Sequence, residues 1–154
     1  MKREKLVALM AVAMAVLAAP ASASNAQVTR GQIGTFADGA TLGYDVAGHV
    51  VMVRTPHSTK VSMTVSGLQP GVTYGSHVHN QSCAHANAGG HYSFGFPVPG
   101  GALDGSEIWP GPFMANAAGH ANGQAAVGAV AGSEAVSVVV HAPGGAKIAC
   151  ADLS

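Results

Sequence analysis

The side chains best suited to chemistry in this sequence are histidines, and two of them lie two residues apart. His77 and His79 belong to the segment GSHVHN, which ends a run typical of a β-strand. Residues i and i+2 of a strand project from the same face, about 6.6 Å apart, so these two imidazoles could bind one metal ion. A single His-x-His pair is a weak signal, because an exposed polar strand face produces the same pattern.

Two further histidines strengthen the prediction of a metal site. His141 ends the apolar run SVVVH, where a polar side chain needs a partner. His91 lies in AGGHY, a glycine-rich stretch whose backbone could bring it back over the strands. Three or four imidazole nitrogens without a thiolate suit Cu(II), zinc or nickel, and the spacing does not choose among them.

The other four histidines are expected at the surface. His49, His57 and His120 lie outside these motifs, and His120 is close to a predicted turn. His85 follows the His-x-His segment closely enough to be a weaker candidate for an additional metal contact.

The elements that must position these histidines are short strands. The segment KVSMTVSGL alternates between apolar and polar residues, which predicts a half-buried strand. Asp38-Gly39 and Asn122-Gly123 are expected to form hairpin turns. Residues 80–112 are rich in glycine and proline and predict one long loop. Seven or eight such strands predict an all-β sandwich or flattened barrel.

The amino terminus predicts export. Three basic residues precede an apolar run over residues 6–19, and an Ala-Ser-Ala stretch at 21–23 follows. This is the pattern of a secretory signal peptide over residues 1–23, which leaves one domain at residues 24–154 in the periplasm or outside the cell. The alternative is a membrane anchor, but the run is shorter than the roughly 20 residues that span a bilayer.

Charge and cysteine content narrow the function further. Charged residues make up 9% of the chain and form no basic stripe, which argues against nucleic acid as a partner. Cys83 and Cys150 are the only cysteines. An even pair in an exported chain predicts one disulfide, and the alternative is two reduced thiols in the core.

Several of these segments occur together in a known family. VSGLQPGVTYGSHVHNQSC, AGGHY and VSVVVHAPGGAKIACADL resemble, in the same order, motifs of the copper,zinc superoxide dismutases, over roughly residues 58–154. The resemblance implies a Greek-key barrel of about eight antiparallel strands, and a disulfide between Cys83 and Cys150. It also implies one copper ion per chain. The implied copper ligands are His77, His79, His91 and His141.

The chain departs from the family in two places. In the family, one histidine bridges copper and zinc, and His91 is its implied counterpart here. The family's zinc site needs two more histidines and an aspartate after that position, yet no histidine lies between His91 and His120. Asp104 alone cannot build that site, so zinc is not expected. The family's long charged segment before the last cysteine is also missing, and Lys147 stands where the family has a channel arginine. Both departures resemble the copper-only branch of the family.

The resemblance therefore implies an exported superoxide dismutase whose substrate is the superoxide anion. His91 would act as both ligand and proton carrier, and Lys147 would attract the anion. Glu107 would orient His91, with Asp104 the second candidate and a solvated loop carboxylate the alternative. Two other functions stay open. One is a copper-buffering protein without turnover, and the other is a structural module in which the histidines are incidental.

Overall fold

The computed structural model describes residues 25–154, and the predicted signal peptide lies outside the described residues. Eight strands, one short α-helix and one 3₁₀ turn make up the described chain. In chain order they are β1 (Gln27–Thr35), α1 (Ala37–Thr41), β2 (Ala47–Arg54), β3 (Thr59–Ser66), β4 (Thr73–His79), the 3₁₀ turn (Ala86–Ala88), β5 (Phe113–Met114), β6 (Ala121–Val127), β7 (Ser137–His141) and β8 (Lys147–Asp152).

The strands form one antiparallel sheet in the order β5-β4-β7-β8-β1-β2-β3-β6. Its two end strands, β5 and β6, lie against each other, so the sheet curls into a nearly closed barrel. The connections from β3 to β4 and from β6 to β7 join strands that are not neighbours. The predicted all-β fold with about eight antiparallel strands is confirmed. Between residues 25 and 154, no helix is long and apolar enough to cross a bilayer.

Alternating strands supply the barrel core. Along β3, Val61, Met63 and Val65 are buried while the residues between them are exposed, which confirms the alternation predicted there. Val78 from β4 and Ile148 from β8 join the same apolar cluster. Burying these side chains supplies the main driving force for folding.

Both predicted hairpin turns are wrong, and the glycine in each has a different purpose. Gly39 lies in α1, where a Cβ atom would stand 2.2 Å from the Ile148 carbonyl oxygen, so glycine lets α1 pack on β8. Gly123 lies inside β6, where a Cβ atom would stand 2.7 Å from the Pro110 carbonyl oxygen. Both glycines allow another segment of backbone to come close. Glycine is also the usual residue of a hairpin turn, so the sequence alone does not tell the two purposes apart.

The predicted long loop is confirmed. Residues 80–112 hold only isolated bridges and the 3₁₀ turn, and the segment folds back along β4. The Asn80 amide donates to the Gly90 carbonyl at 3.0 Å, and the Tyr92 amide donates to the Val78 carbonyl at 2.8 Å. The loop is thereby held against the strand that carries the His-x-His pair.

The disulfide between Cys83 and Cys150 is confirmed, and it ties the long loop to β8. The Cys83 amide also donates to the Asp152 carboxylate at 2.7 Å. Beneath the bridge, Ala88, Val139 and Cys150 form a second small apolar cluster outside the main core.

Removing this crosslink is expected to destabilise the fold substantially. The bridge joins residues 67 apart in sequence, and for such a loop the chain-entropy model gives a loss of about 4 kcal/mol when both cysteines become serine. Urea denaturation of the Cys83→Ser/Cys150→Ser variant measures the change. The reduced wild-type protein is the control and should match the variant; equal midpoints for the oxidised protein and the variant would contradict the expectation.

Candidate metal centre

Four imidazoles converge on the outer face of the barrel. His77, His79, His91 and His141 each offer one nitrogen, and these four atoms lie within 4.8 Å of one another. Nitrogens that share one ion at about 2.0–2.1 Å lie at most about 4.2 Å apart. Small side-chain movements would therefore bring all four onto one metal ion.

The pairing of β4 with β7 brings three of these rings together. His141 lies directly opposite Gly75, while His77 and His79 lie opposite Val139 and Ser137. Directly opposed residues of antiparallel strands share a face, as do residues i and i+2. The three histidines therefore share a face. Gly75 lies on the same face and places no side chain beside the rings, where a Cβ atom would lie 3.6 Å from His77 Nε2.

The fourth ring reaches the same face from the long loop. His91 forms an isolated antiparallel bridge with His79, so its side chain projects from the same face of the extended sheet. The intervening residues Val78, Val138 and Val140 point the other way, into the barrel core. The site consequently lies outside the barrel and beneath the loop.

Hydrogen bonds on the far side of two rings leave their inward nitrogens without protons. His79 Nδ1 lies 3.1 Å from the Ala88 carbonyl oxygen, and His141 Nδ1 lies 3.0 Å from that of Gly145. A carbonyl oxygen only accepts, so Nδ1 carries the proton of each neutral ring and Nε2 presents a lone pair. Their Nε2 atoms face each other at 3.4 Å. Two facing lone pairs repel each other, and a cation between them would remove that repulsion.

In His77 the nitrogen that lacks a partner in the described chain is Nδ1, whereas His79 and His141 present Nε2. His77 Nδ1 is buried and has no hydrogen-bond partner among the described residues. A buried polar atom without a partner costs free energy, and a metal ion would remove that cost. Ligating histidines usually donate their second N–H to a carbonyl or carboxylate, as His79, His141 and His91 do here. The residues present therefore fit a metal ion.

The electrostatics of the cluster favour the neutral form of three rings, those of His77, His79 and His141. Burial, followed by the neighbouring rings of His91, His141 and His79, lowers the pKa of His77 to about 3. Burial is also the main cause that lowers the pKa of His79 to about 3, with Lys147 adding to the effect. The pKa of His141 is lowered too, again mainly by burial. Neutral imidazole is the form that binds metal.

Glu107, not Asp104, contacts the histidines. Glu107 Oε2 lies 2.7 Å from His91 Nδ1 and 2.6 Å from Trp109 Nε1, so one oxygen accepts two N–H groups. The Asp104 carboxylate accepts instead from the amide and hydroxyl of Ser106 and is exposed. Of the two carboxylates considered from the sequence, only Glu107 is placed to orient a ring.

Lys147 is held beside the cluster by an unusual turn. Its ammonium donates to the carbonyl oxygens of Asn87 and Gly89 at 2.6 and 2.7 Å. Ala86, Asn87 and Ala88 all have positive φ angles, of 48°, 53° and 63°. Such conformations cost roughly 1–2 kcal/mol per residue outside glycine. The strained turn points its carbonyl groups at Lys147 and at His79.

The remaining histidines take no part in the cluster. His49, His57, His85 and His120 are all exposed, as expected for surface residues, and the metal contact considered for His85 is not formed. His49 contacts Thr64 on the neighbouring strand.

Sequence reasoning missed two contributors to the site. The first is Trp109, whose ring packs on His77 with ring centroids 4.4 Å apart. Its position two residues after Glu107 in an extended segment was the available signal, because such residues share a face. The orienting carbonyls of Ala88 and Gly145 left no signal, since every residue has a carbonyl group.

Comparisons with known proteins add no family assignment. A scan against protein-family models found no match to the chain, and a search of the curated proteins found none either.

Because these rings favour the neutral form, we expect the free energy of unfolding of the metal-free protein to fall in acid. Unfolded histidine has a pKa of about 6.5, whereas folded His77 has one of about 3. Between these pH values the unfolded chain binds a proton that the folded chain does not, so the free energy of unfolding falls as pH falls from 6.5 towards 3. Above pH 6.5 the term vanishes.

The measurement is urea denaturation of the metal-free protein at pH 7, 5.5 and 4. His77→Gln should make the free energy of unfolding depend less steeply on pH, by up to about 1.4 kcal/mol per pH unit for one proton. His57→Gln, which alters an exposed ring in a loop, should leave it unchanged. A His77→Gln slope equal to that of the wild-type protein would contradict the expectation.

Proposed function

We propose that this chain is an exported, copper-dependent superoxide dismutase that lacks the zinc site of the copper,zinc enzymes it resembles. The observation that carries the proposal is the convergence of four imidazole nitrogens, one each from His77, His79, His91 and His141. The Cys83–Cys150 bridge and the eight-stranded barrel support it, because the family resemblance implies both. The bridge also suits an oxidising compartment outside the cytoplasm, in keeping with a signal peptide at residues 1–23.

The donor set favours copper. Four nitrogens without thiolate or bound carboxylate match the tetragonal nitrogen environment that Cu(II) prefers. When bound, copper would supply one-electron chemistry, through which two superoxide anions and two protons yield one dioxygen and one hydrogen peroxide. The protein's own residues hold that ion, admit the anion and deliver protons.

His91 is the ligand best placed to move a proton. Its exposed fraction is 32%, whereas His79 is fully buried. Its second nitrogen contacts a carboxylate, whereas those of His79 and His141 contact carbonyl groups. The Glu107 bond keeps the Nδ1 proton in place and aims Nε2 at the cluster. With copper bound, His91 Nε2 would be the nitrogen that takes up a proton and gives it to the peroxide product, and the second proton would come from solvent.

Lys147 supplies the positive charge near the site. Two of its three ammonium protons bond the carbonyl groups of Asn87 and Gly89, and the third is free to face an anion. Its charge contributes to the lowered pKa values of His79 and His141, which supports a role for its field at the cluster. An anion arriving at the cluster would meet that same field.

The second candidate function is copper storage, and the geometry of Lys147 favours it. A lysine bonded to two carbonyl groups is less available to an anion than a free one, and it lacks the planar fork of arginine. A storage protein would need the four nitrogens and no anion site. Turnover, not binding, separates the two functions.

The primary test is turnover of the copper-loaded protein with a chelator present in excess. We expect one copper per chain by elemental analysis and chelator-resistant disproportionation of superoxide. Both should be lost in His141→Ala, because removal of one of the four nitrogens breaks the donor set. His57→Ala, at an exposed position, is the matched control. Tight copper binding without chelator-resistant turnover would leave storage as the function.

The role of Lys147 has its own test. Lys147→Ala should lower kcat/KM for superoxide roughly tenfold, and the loss should shrink as ionic strength rises, because screening weakens steering by charge. Lys147→Arg should retain most of the activity. Lys60→Ala removes an exposed lysine on β3, away from the site, and should have little effect. Equal kcat/KM in Lys147→Ala and Lys60→Ala would contradict the assignment.

A further inference from the structure

Trp109, the only tryptophan of the chain, touches two parts of the candidate metal centre at once. Its indole N–H donates to Glu107 Oε2, the same oxygen that accepts the N–H of His91. Its ring packs on His77 with centroids 4.4 Å apart and planes tilted by 45°, and it meets His91 edge-on at 6.0 Å. One side chain thus links the ligand from β4 to the ligand from the loop.

The Glu107 carboxylate has few other partners in the described part of the chain, so its hydrogen bond from Trp109 matters for its charge. The Glu107 side chain is only 12% exposed, and among the described residues His91 is its one salt-bridge partner. The indole N–H is therefore one of the two donors that stabilise this carboxylate. A carboxylate that shares its charge with a second donor polarises the His91 ring less strongly, and the basicity of a ligand follows the polarisation by its outer partner.

We infer that Trp109 is a positioning residue for the metal centre. It fixes Glu107 through the indole N–H, braces His77 through ring packing, and moderates how strongly His91 donates to the metal. The identity of the metal as copper rests on the function proposed above. The simpler interpretation, that the ring only covers apolar surface, explains the packing on His77 but gives the indole N–H no role.

The two interpretations differ in the effect of removing the N–H alone. Trp109→Phe keeps an aromatic ring beside His77 and leaves the Glu107 oxygen with His91 as its only side-chain donor. A stronger Glu107–His91 bond makes the ring a better donor, which favours Cu(II) over Cu(I). We expect the ratio of Cu(II) to Cu(I) affinity to rise about threefold to tenfold. The reduction potential would then fall by about 30–60 mV, at about 59 mV for each tenfold change.

The experiment measures both copper affinities by competition with chelators, together with the potential of the copper-loaded protein. Tyr74→Phe is the matched control, since it removes a hydroxyl that accepts a hydrogen bond from the Gln69 amide. Tyr74 lies in a separate aromatic cluster with Tyr44 and Phe113. It should leave the ratio unchanged. Loss of both affinities in Trp109→Phe without a change in their ratio would reduce Trp109 to a packing residue and overturn the inference.

A second measurement keeps the inference testable if Trp109→Phe does not fold. The single tryptophan gives one indole N–H signal in a nitrogen-15 NMR spectrum of the metal-free protein. We expect that signal to be protected from solvent exchange and to move in Glu107→Gln but not in Asp104→Asn, whose carboxylate bonds Ser106 instead. A signal that exchanges freely and ignores Glu107→Gln would overturn the inference.

Neither readout depends on turnover, so failure of the proposed enzymatic activity would not be mistaken for failure of this inference. A protein that stores copper without turnover would still show the shift in potential. A protein that disproportionates superoxide rapidly could still give a Trp109→Phe variant with an unchanged potential, which would overturn only the role of Trp109.

Discussion

The register between β4 and β7 is the constraint on which the metal centre depends. Gly75 opposite His141 places that ring on the same face as His77 and His79, and a slip of one residue would turn His141 into the barrel core. The core itself enforces the register, because Val78, Val138 and Val140 must point inward for the barrel to bury them. The hydrophobic effect that folds the barrel also aims three imidazoles at one point.

The long loop depends on this constraint and completes the site. It brings His91 back beside His79, and it covers the rings so that His79 is fully buried. Three anchors hold the loop near its start: the disulfide to β8, the His79 bond to the Ala88 carbonyl group, and the lysine bonds to Asn87 and Gly89. Together they offset the cost of three consecutive non-glycine residues with positive φ.

Charge and burial act together at this surface. Burial lowers the pKa values of His77, His79 and His141, and nearby Lys147 adds to the effect at His79 and His141. The metal-free protein therefore maintains a set of lone pairs directed at one another, a state that a cation stabilises. The Glu107 carboxylate contacts the cluster through His91 and is shared with Trp109. The centre thus combines an oriented donor set with a local balance of positive and negative charge.

By itself the sequence determined the all-β class, the alternation of β3, the disulfide partners and the four histidines that come together. These features leave local marks: period-two apolar patterns, a single pair of cysteines, and imidazoles at strand ends. The choice of Glu107 over Asp104 could be ranked from the sequence but not decided, because both lie in the same irregular loop and only the folded path of that loop selects one.

Only the tertiary structure decided the features that depend on backbone approach. Gly39 and Gly123 resemble turn residues in the sequence, yet each lies where another strand or loop comes within contact distance. The bond of Trp109 to Glu107, and the carbonyl groups that orient His79, His141 and Lys147, likewise follow from how distant segments pack. Contacts between segments far apart in the chain leave no local periodicity, and for that physical reason the sequence alone could not specify them.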